Sequence, residues 1–146
     1  ARDLGSLPGD EDFAHSRYKY PLAQRIAGQV LAQEYGIGTL AEANPPMPAK
    51  AVRKGDSVVV TFTCTGAGLA TSDGGALCGF GFMDAEGAEL SAEAAITAPD
   101  TVTVTVPEGT DAAEVHFCMS NMAYMAQGNL CRADGMPAPA FTLDVE

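Results

Sequence analysis

Thr101-Val102-Thr103-Val104-Thr105-Val106 alternates hydroxyl-bearing and branched apolar side chains, and this alternation decides the fold class. Successive side chains of a strand point to opposite faces, so the valines share one face and the threonines the other. β-branched residues also fit a pleated surface better than a helix. Working outward, Val58-Val59-Val60-Thr61-Phe62-Thr63 and Glu114-Val115-His116-Phe117-Cys118 read the same way, and Phe80-Gly81-Phe82 and Phe141-Thr142-Leu143-Asp144-Val145 add two shorter strands. Lys54-Gly55-Asp56, Ser72-Asp73-Gly74-Gly75, Asp84-Ala85-Glu86-Gly87 and Ala133-Asp134-Gly135 separate them with residues that tolerate a positive φ. Strands at such spacing, with no helices between them, predict an antiparallel β-sandwich.

The segment before the strands follows a different period. From Pro21 to Tyr35, Leu22, Ala23, Ile26, Ala27, Val30 and Leu31 recur at three- and four-residue spacing, opposite Gln24, Arg25, Gln29, Gln33 and Glu34. That is an amphipathic helix. Pro21 suits its first turn and Gly36 its left-handed close. The run Asn44-Pro45-Pro46-Met47-Pro48 then reads as a connector. We place the boundary there, with residues 1–47 as one part and 48–146 as the sandwich. The helix stripe needs a cover that a sandwich does not obviously supply. A missing upstream region or another copy of the chain is therefore the expected partner.

Length and charge narrow the function classes. A chain of 146 residues supports one domain with a substantial core, since roughly 70% of the unfolded surface is buried at that size. The longest apolar runs, such as Val58-Val59-Val60, are far too short to cross a bilayer. The start, Ala1-Arg2-Asp3-Leu4, lacks the order of a signal peptide and reads as cut from something longer, although removal of a Met before Ala would leave the same start. A net charge of −11 repels phosphate backbones, which argues against nucleic acid as a partner. Cys64, Cys78, Cys118 and Cys131 lie far apart with no C-x-x-C pair, so the spacing gives no zinc site and no cofactor is expected. Buried thiols are favoured over disulfides, and the compartment stays open.

Two short patterns could carry chemistry. Asp12 and His15 stand in Asp-x-x-His spacing, which lets a carboxylate hold one imidazole nitrogen while the other acts as a general base. A solvated loop approaching a helix start, where acids are favoured, explains the same residues. Gly55-Asp56-Ser57 matches the nucleophile triplet of some hydrolases, but it lies between strand-like stretches, and a nucleophile turn leads from strand into helix. We read it as a hairpin turn. His116 lies within a strand with its ring expected to be hydrogen-bonded or solvated. Tyr18, Tyr20, Tyr35 and Tyr124 could stack on a sugar, but at element ends such rings more often cover a core edge.

Taken together, Leu4-Gly5 with Asp12-x-x-His15, then Lys19 with Leu22-Ala23-Gln24-Arg25-Ile26-Ala27, then Tyr35-Gly36 follow a family order. Gly68-Leu69-Ala70, Asp73-Gly74-Gly75 and Leu77-Cys78-Gly79-Phe80 continue it as a long hairpin, and Asn129-Leu130 with Gly135-Met136-Pro137-Ala138-Pro139 and Phe141 close it. Over nearly its whole length the chain resembles the C-terminal part of the sialate O-acetylesterase-like carbohydrate esterases, which belong to the SGNH hydrolase class. It departs from the pattern at Ser16, Cys131 and Arg132. The resemblance implies that the helical segment belongs to an α/β (SGNH) domain and that His15 is the general base of a Ser-His-Asp triad, oriented by Asp12. The Ser would reside upstream, the substrate would be an O-acetylated carbohydrate, and this chain alone would be inactive. A different class, a non-catalytic carbohydrate-binding or accessory sandwich, is the alternative.

Overall fold

The computed structural model describes residues 18–83, 86–119 and 128–146. The chain divides into two compact units, Ala1–Asn44 and Pro45–Glu146. In the first, helix α1 spans Tyr20–Tyr35 with proline in its opening turn, and Gly36 at φ 65° closes it by donating its N–H to the Leu31 carbonyl. Both ends thus form where Pro21 and Gly36 signal them. A short second helix, α2 (Leu40–Ala43), was not anticipated. It starts on a reciprocal cap in which Thr39 Oγ1 accepts from the Glu42 N–H at 3.2 Å and Glu42 Oε2 accepts from the Thr39 N–H at 3.1 Å. The Gln29 amide donates to Asn44 Oδ1 at 3.1 Å, tying α1 to the chain after α2. No residue of α1 is buried, and Ile26, Val30 and Leu31 on its apolar stripe are 51%, 45% and 41% exposed.

The second unit is the antiparallel sandwich. Strands β1 (Met47–Lys54), β2 (Ser57–Thr63), β6 (Ala94–Ala98) and β7 (Thr101–Thr105) form one sheet in the order β1-β2-β7-β6. Strands β4 (Phe80–Met83), β5 (Glu89–Ser91), β8 (Glu114–Phe117) and β10 (Phe141–Asp144) form the other in the order β10-β8-β4-β5. A two-stranded ribbon joins β3 (Leu69–Thr71) to β9 (Leu130–Arg132). The alternation in β2 and β7 resolves as expected: Val58 faces Val104, Val60 faces Val102, and all four are fully buried. Phe80, Phe82, Val115, Phe117 and Phe141 line the facing sheet within the same core. Phe62 of the first sheet meets Phe141 of the second edge-on, ring centres 5.8 Å apart, and Phe141 in turn stacks on Phe117 at 5.7 Å.

Three expectations are corrected. The proline run is not all connector, because β1 already begins at Met47. Pro48 is accommodated there on an edge strand, beside a register shift between Pro48 and Lys50. The stretch from Gly68 to Phe80 is not one long hairpin, since β3 pairs with β9 whereas β4 pairs with β5 and β8. Tyr20 and Tyr35 cover no core edge; both are exposed at the ends of α1. Gly55-Asp56, by contrast, is the two-residue turn of the β1–β2 hairpin, with Lys54 paired to Ser57 and Gly55 at φ 61°. Among the described residues no helix is long and apolar enough to cross a membrane.

Candidate functional site

The Asp12 and His15 pair lies outside the described residues, as does Tyr124. What is described next to it is the start of α1. Its first turn carries no acidic residue and its N-cap, Lys19, makes no side-chain cap bond.

In the sandwich, Asn129 organises the loop before β4. It is 7% exposed, and its amide donates to Asp73 Oδ1 at 2.9 Å and the Ala76 carbonyl at 2.8 Å while its Oδ1 accepts from the Cys78 N–H at 3.0 Å. Asp73 also accepts from the Gly75 N–H at 3.0 Å. That backbone donor, followed by Asn129, holds the Asp73 carboxyl below the usual carboxylate range. Residues 72–78 are thereby pinned to the strand that follows Asn129. Beyond them, Arg132 forks onto Asp134, Nε to Oδ1 at 2.9 Å and Nη2 to Oδ2 at 2.6 Å. The Arg132 stem lies over Gly66, where a Cβ would stand 3.1 Å from its Cδ. Asp134 is held below the usual range chiefly by this guanidinium. Burial, with Asp134 and Asp73 nearby, raises the Cys131 thiol. Such a thiol is a poor nucleophile. None of the four cysteines is in a disulfide.

The outer face of the second sheet holds a feature that sequence reading misjudged. His116 is not solvated: its side chain is 3% exposed, and Nε2 lies 3.4 Å from Glu89 Oε1, an ion-pair distance, without a well-aligned hydrogen bond. Burial lowers the affinity of the imidazole for a proton, and Glu89 and then Glu114 partly oppose that. The ring crosses the sheet where Gly81 leaves room, since a Cβ there would sit 2.6 Å from Nε2. Gly81 was the missed signal, a glycine inside a strand where another group approaches closely.

A cleft of about 630 Å³ opens at the sandwich end between Met83, Leu90 and the turn around Gly109, rimmed by Glu108, Asp111, Glu114 and Asp144. Its described lining mixes apolar Met83 and Leu90 with acidic side chains and includes no cysteine or histidine. Among the described residues no group of His, Cys, Asp and Glu could hold a metal ion.

With an antiparallel, β-rich class defined by the strands, the comparisons give the likeness. The chain is similar in structure to a carbohydrate acetylesterase from Xanthomonas citri, with a TM-score of 0.78 and 27% sequence identity over 97% of this chain. The chain spans 31% of the length of that protein. The fold is therefore carbohydrate-esterase-like. No protein-family model matches the sequence, and no curated protein does.

Proposed function

We propose that this chain is the C-terminal part of a carbohydrate O-acetylesterase of the sialate O-acetylesterase-like, SGNH kind, and that it carries the Asp-His half of the catalytic triad. The observation that carries this reading is the likeness to a carbohydrate acetylesterase over nearly the full chain, at a third of that protein's length. Residues 1–44 are then the end of an α/β domain, and residues 45–146 the sandwich that follows it. His15 takes the proton from a Ser hydroxyl of the upstream region as its oxygen attacks the acetyl carbonyl, and Asp12 steadies the resulting imidazolium. His15 returns the proton to the departing sugar oxygen as the acetyl-enzyme forms. Water then repeats the sequence and releases acetate.

On this reading the upstream region, rather than a second copy, covers Ile26, Val30 and Leu31. An exposed apolar stripe of that length is a common mark of an interface, and the esterase likeness supplies the missing length of chain. The chain alone lacks the nucleophile and the oxyanion donors, so it does not hydrolyse esters. The test is acetate release from an O-acetylated sugar by this chain and by the same chain joined to its upstream region. Activity confined to the joined protein supports the proposal. If the joined protein is inactive and this chain is retained on glycans, the accessory binding module is the correct account.

A further inference from the structure

Of the described tyrosines, Tyr20 and Tyr35 are 69% and 71% exposed and stand at opposite ends of α1, while Tyr18, at 43%, is more covered. The two wet rings differ in what lies beside them. Tyr20 comes five residues after His15, which holds their Cα atoms within about 18 Å of each other. Tyr35 closes the 16-residue helix, about 22 Å further along its axis. Tyr20 is also carried on a backbone that is set in advance. Pro21 fixes the opening turn directly after it, and the Ala23 N–H donates to the Lys19 carbonyl at 2.9 Å just around it. A tyrosine has only two side-chain torsions to order, so little entropy is lost when a ligand settles on its ring.

We propose that Tyr20 is a sugar-stacking residue of the esterase, its ring lying against the pyranose whose acetyl group His15 serves. This rests on the reading of Asp12 and His15 given above. A pyranose offers an apolar C–H face and a rim of hydroxyls that stays wet, and the phenol side chain answers with an apolar face and a polar tip. Stacking of this kind holds the ground state and the transition state equally, whereas Asp12 and His15 act on the ester itself. Preference for a cyclic alcohol over a small one then comes from the start of α1, and the proton transfers from the segment before it. The rival occupant of the ring is the upstream region that covers Ile26, Val30 and Leu31. Tyr20 is wetter than all three, and inside such a contact its hydroxyl would need a partner.

The test is steady-state kinetics of the chain joined to its upstream region, on an O-acetylated methyl glycoside and on ethyl acetate, which has no ring to stack. Tyr20→Ala should raise KM for the glycoside about tenfold with kcat unchanged, the mark of lost uniform binding, and should leave kcat/KM for ethyl acetate as it was. Tyr20→Phe, which keeps the ring, should keep the wild-type KM. Tyr35→Ala removes an equally exposed ring at the far end of the helix and should change neither substrate's kinetics. A KM that Tyr20→Ala does not move, in a joined protein that is active and depends on His15, overturns the stacking role and leaves the esterase reading standing. Equal losses on both esters, or a lower melting temperature of the joined protein, assign Tyr20 to the covered face of α1 and overturn it too. A joined protein that releases no acetate, or releases it equally well after His15→Ala, removes the esterase reading and the stacking role with it.

Discussion

Val58, Val60, Val102 and Val104 on β2 and β7 have no exposed surface, whereas Ile26, Val30 and Leu31 on α1 keep between 41% and 51% of theirs. The two regions follow equally clean periods in sequence, and they differ in where the apolar stripe finds a partner. In the sandwich, each sheet supplies the cover for the other within one run of chain, and Phe62 against Phe141 marks the contact. The helix has its start and stop signals but not its cover. An isolated helix of this length is marginal in water, and packing of the apolar face normally supplies the rest. Stability should therefore reside in residues 45–146, and the helix should gain its own share only when the stripe is covered.

Changes inside the sandwich should produce the largest effects. Phe82→Ala removes a fully buried ring and should cost about 3–5 kcal/mol in denaturant unfolding. Gly128→Ala comes next: a Cβ there would stand 1.9 Å from Cys118 Sγ and 2.8 Å from Phe117 Cζ, and overpacking of this kind costs about 1–3 kcal/mol. Asn129→Ala takes three hydrogen bonds from the 72–78 loop and should cost about 1–3 kcal/mol at constant m-value.

Smaller effects sharpen the contrast. The Asp73 and Asp134 carboxyls are held below the usual range in the folded chain, so the unfolded chain takes up protons first as the pH drops. Their contribution to stability is present above the ordinary carboxylate range and is lost as the pH falls through their folded values. Asp73→Asn should flatten that acid limb in a pH series of thermal melts. Smallest of all, Leu31→Asp in this chain should change stability by no more than about 0.5 kcal/mol, because the position is already wet. A large loss on Leu31→Asp, with the unfolding transition of the sandwich shifted, would break the comparison.

How far these outcomes were legible in sequence depends on the kind of signal. Strands rich in valine and threonine, and a helix bracketed by Pro21 and Gly36, announce themselves because local propensity and burial agree. Strand β6, Ala94-Ala95-Ile96-Thr97-Ala98, does not, since alanine carries little strand preference and its pairing to β7 is decided by tertiary contact. Helix α2 was readable from Thr39 and Glu42, a capping box that the apolar period does not reveal. The burial of His116 was missed: alternation sets it opposite Val115 and Phe117, and its signal was Gly81, a glycine inside a neighbouring strand that leaves room for the ring. Asp12 and His15 are read from a spacing and from the esterase resemblance, and they lie outside the described residues.

The measurement that bears most directly on the esterase account is the kcat/KM for acetate release by the joined protein with and without His15→Ala. The account predicts a fall of at least about a thousandfold, with the sandwich unfolding transition unchanged. A joined protein that hydrolyses the ester equally well without His15 would contradict it.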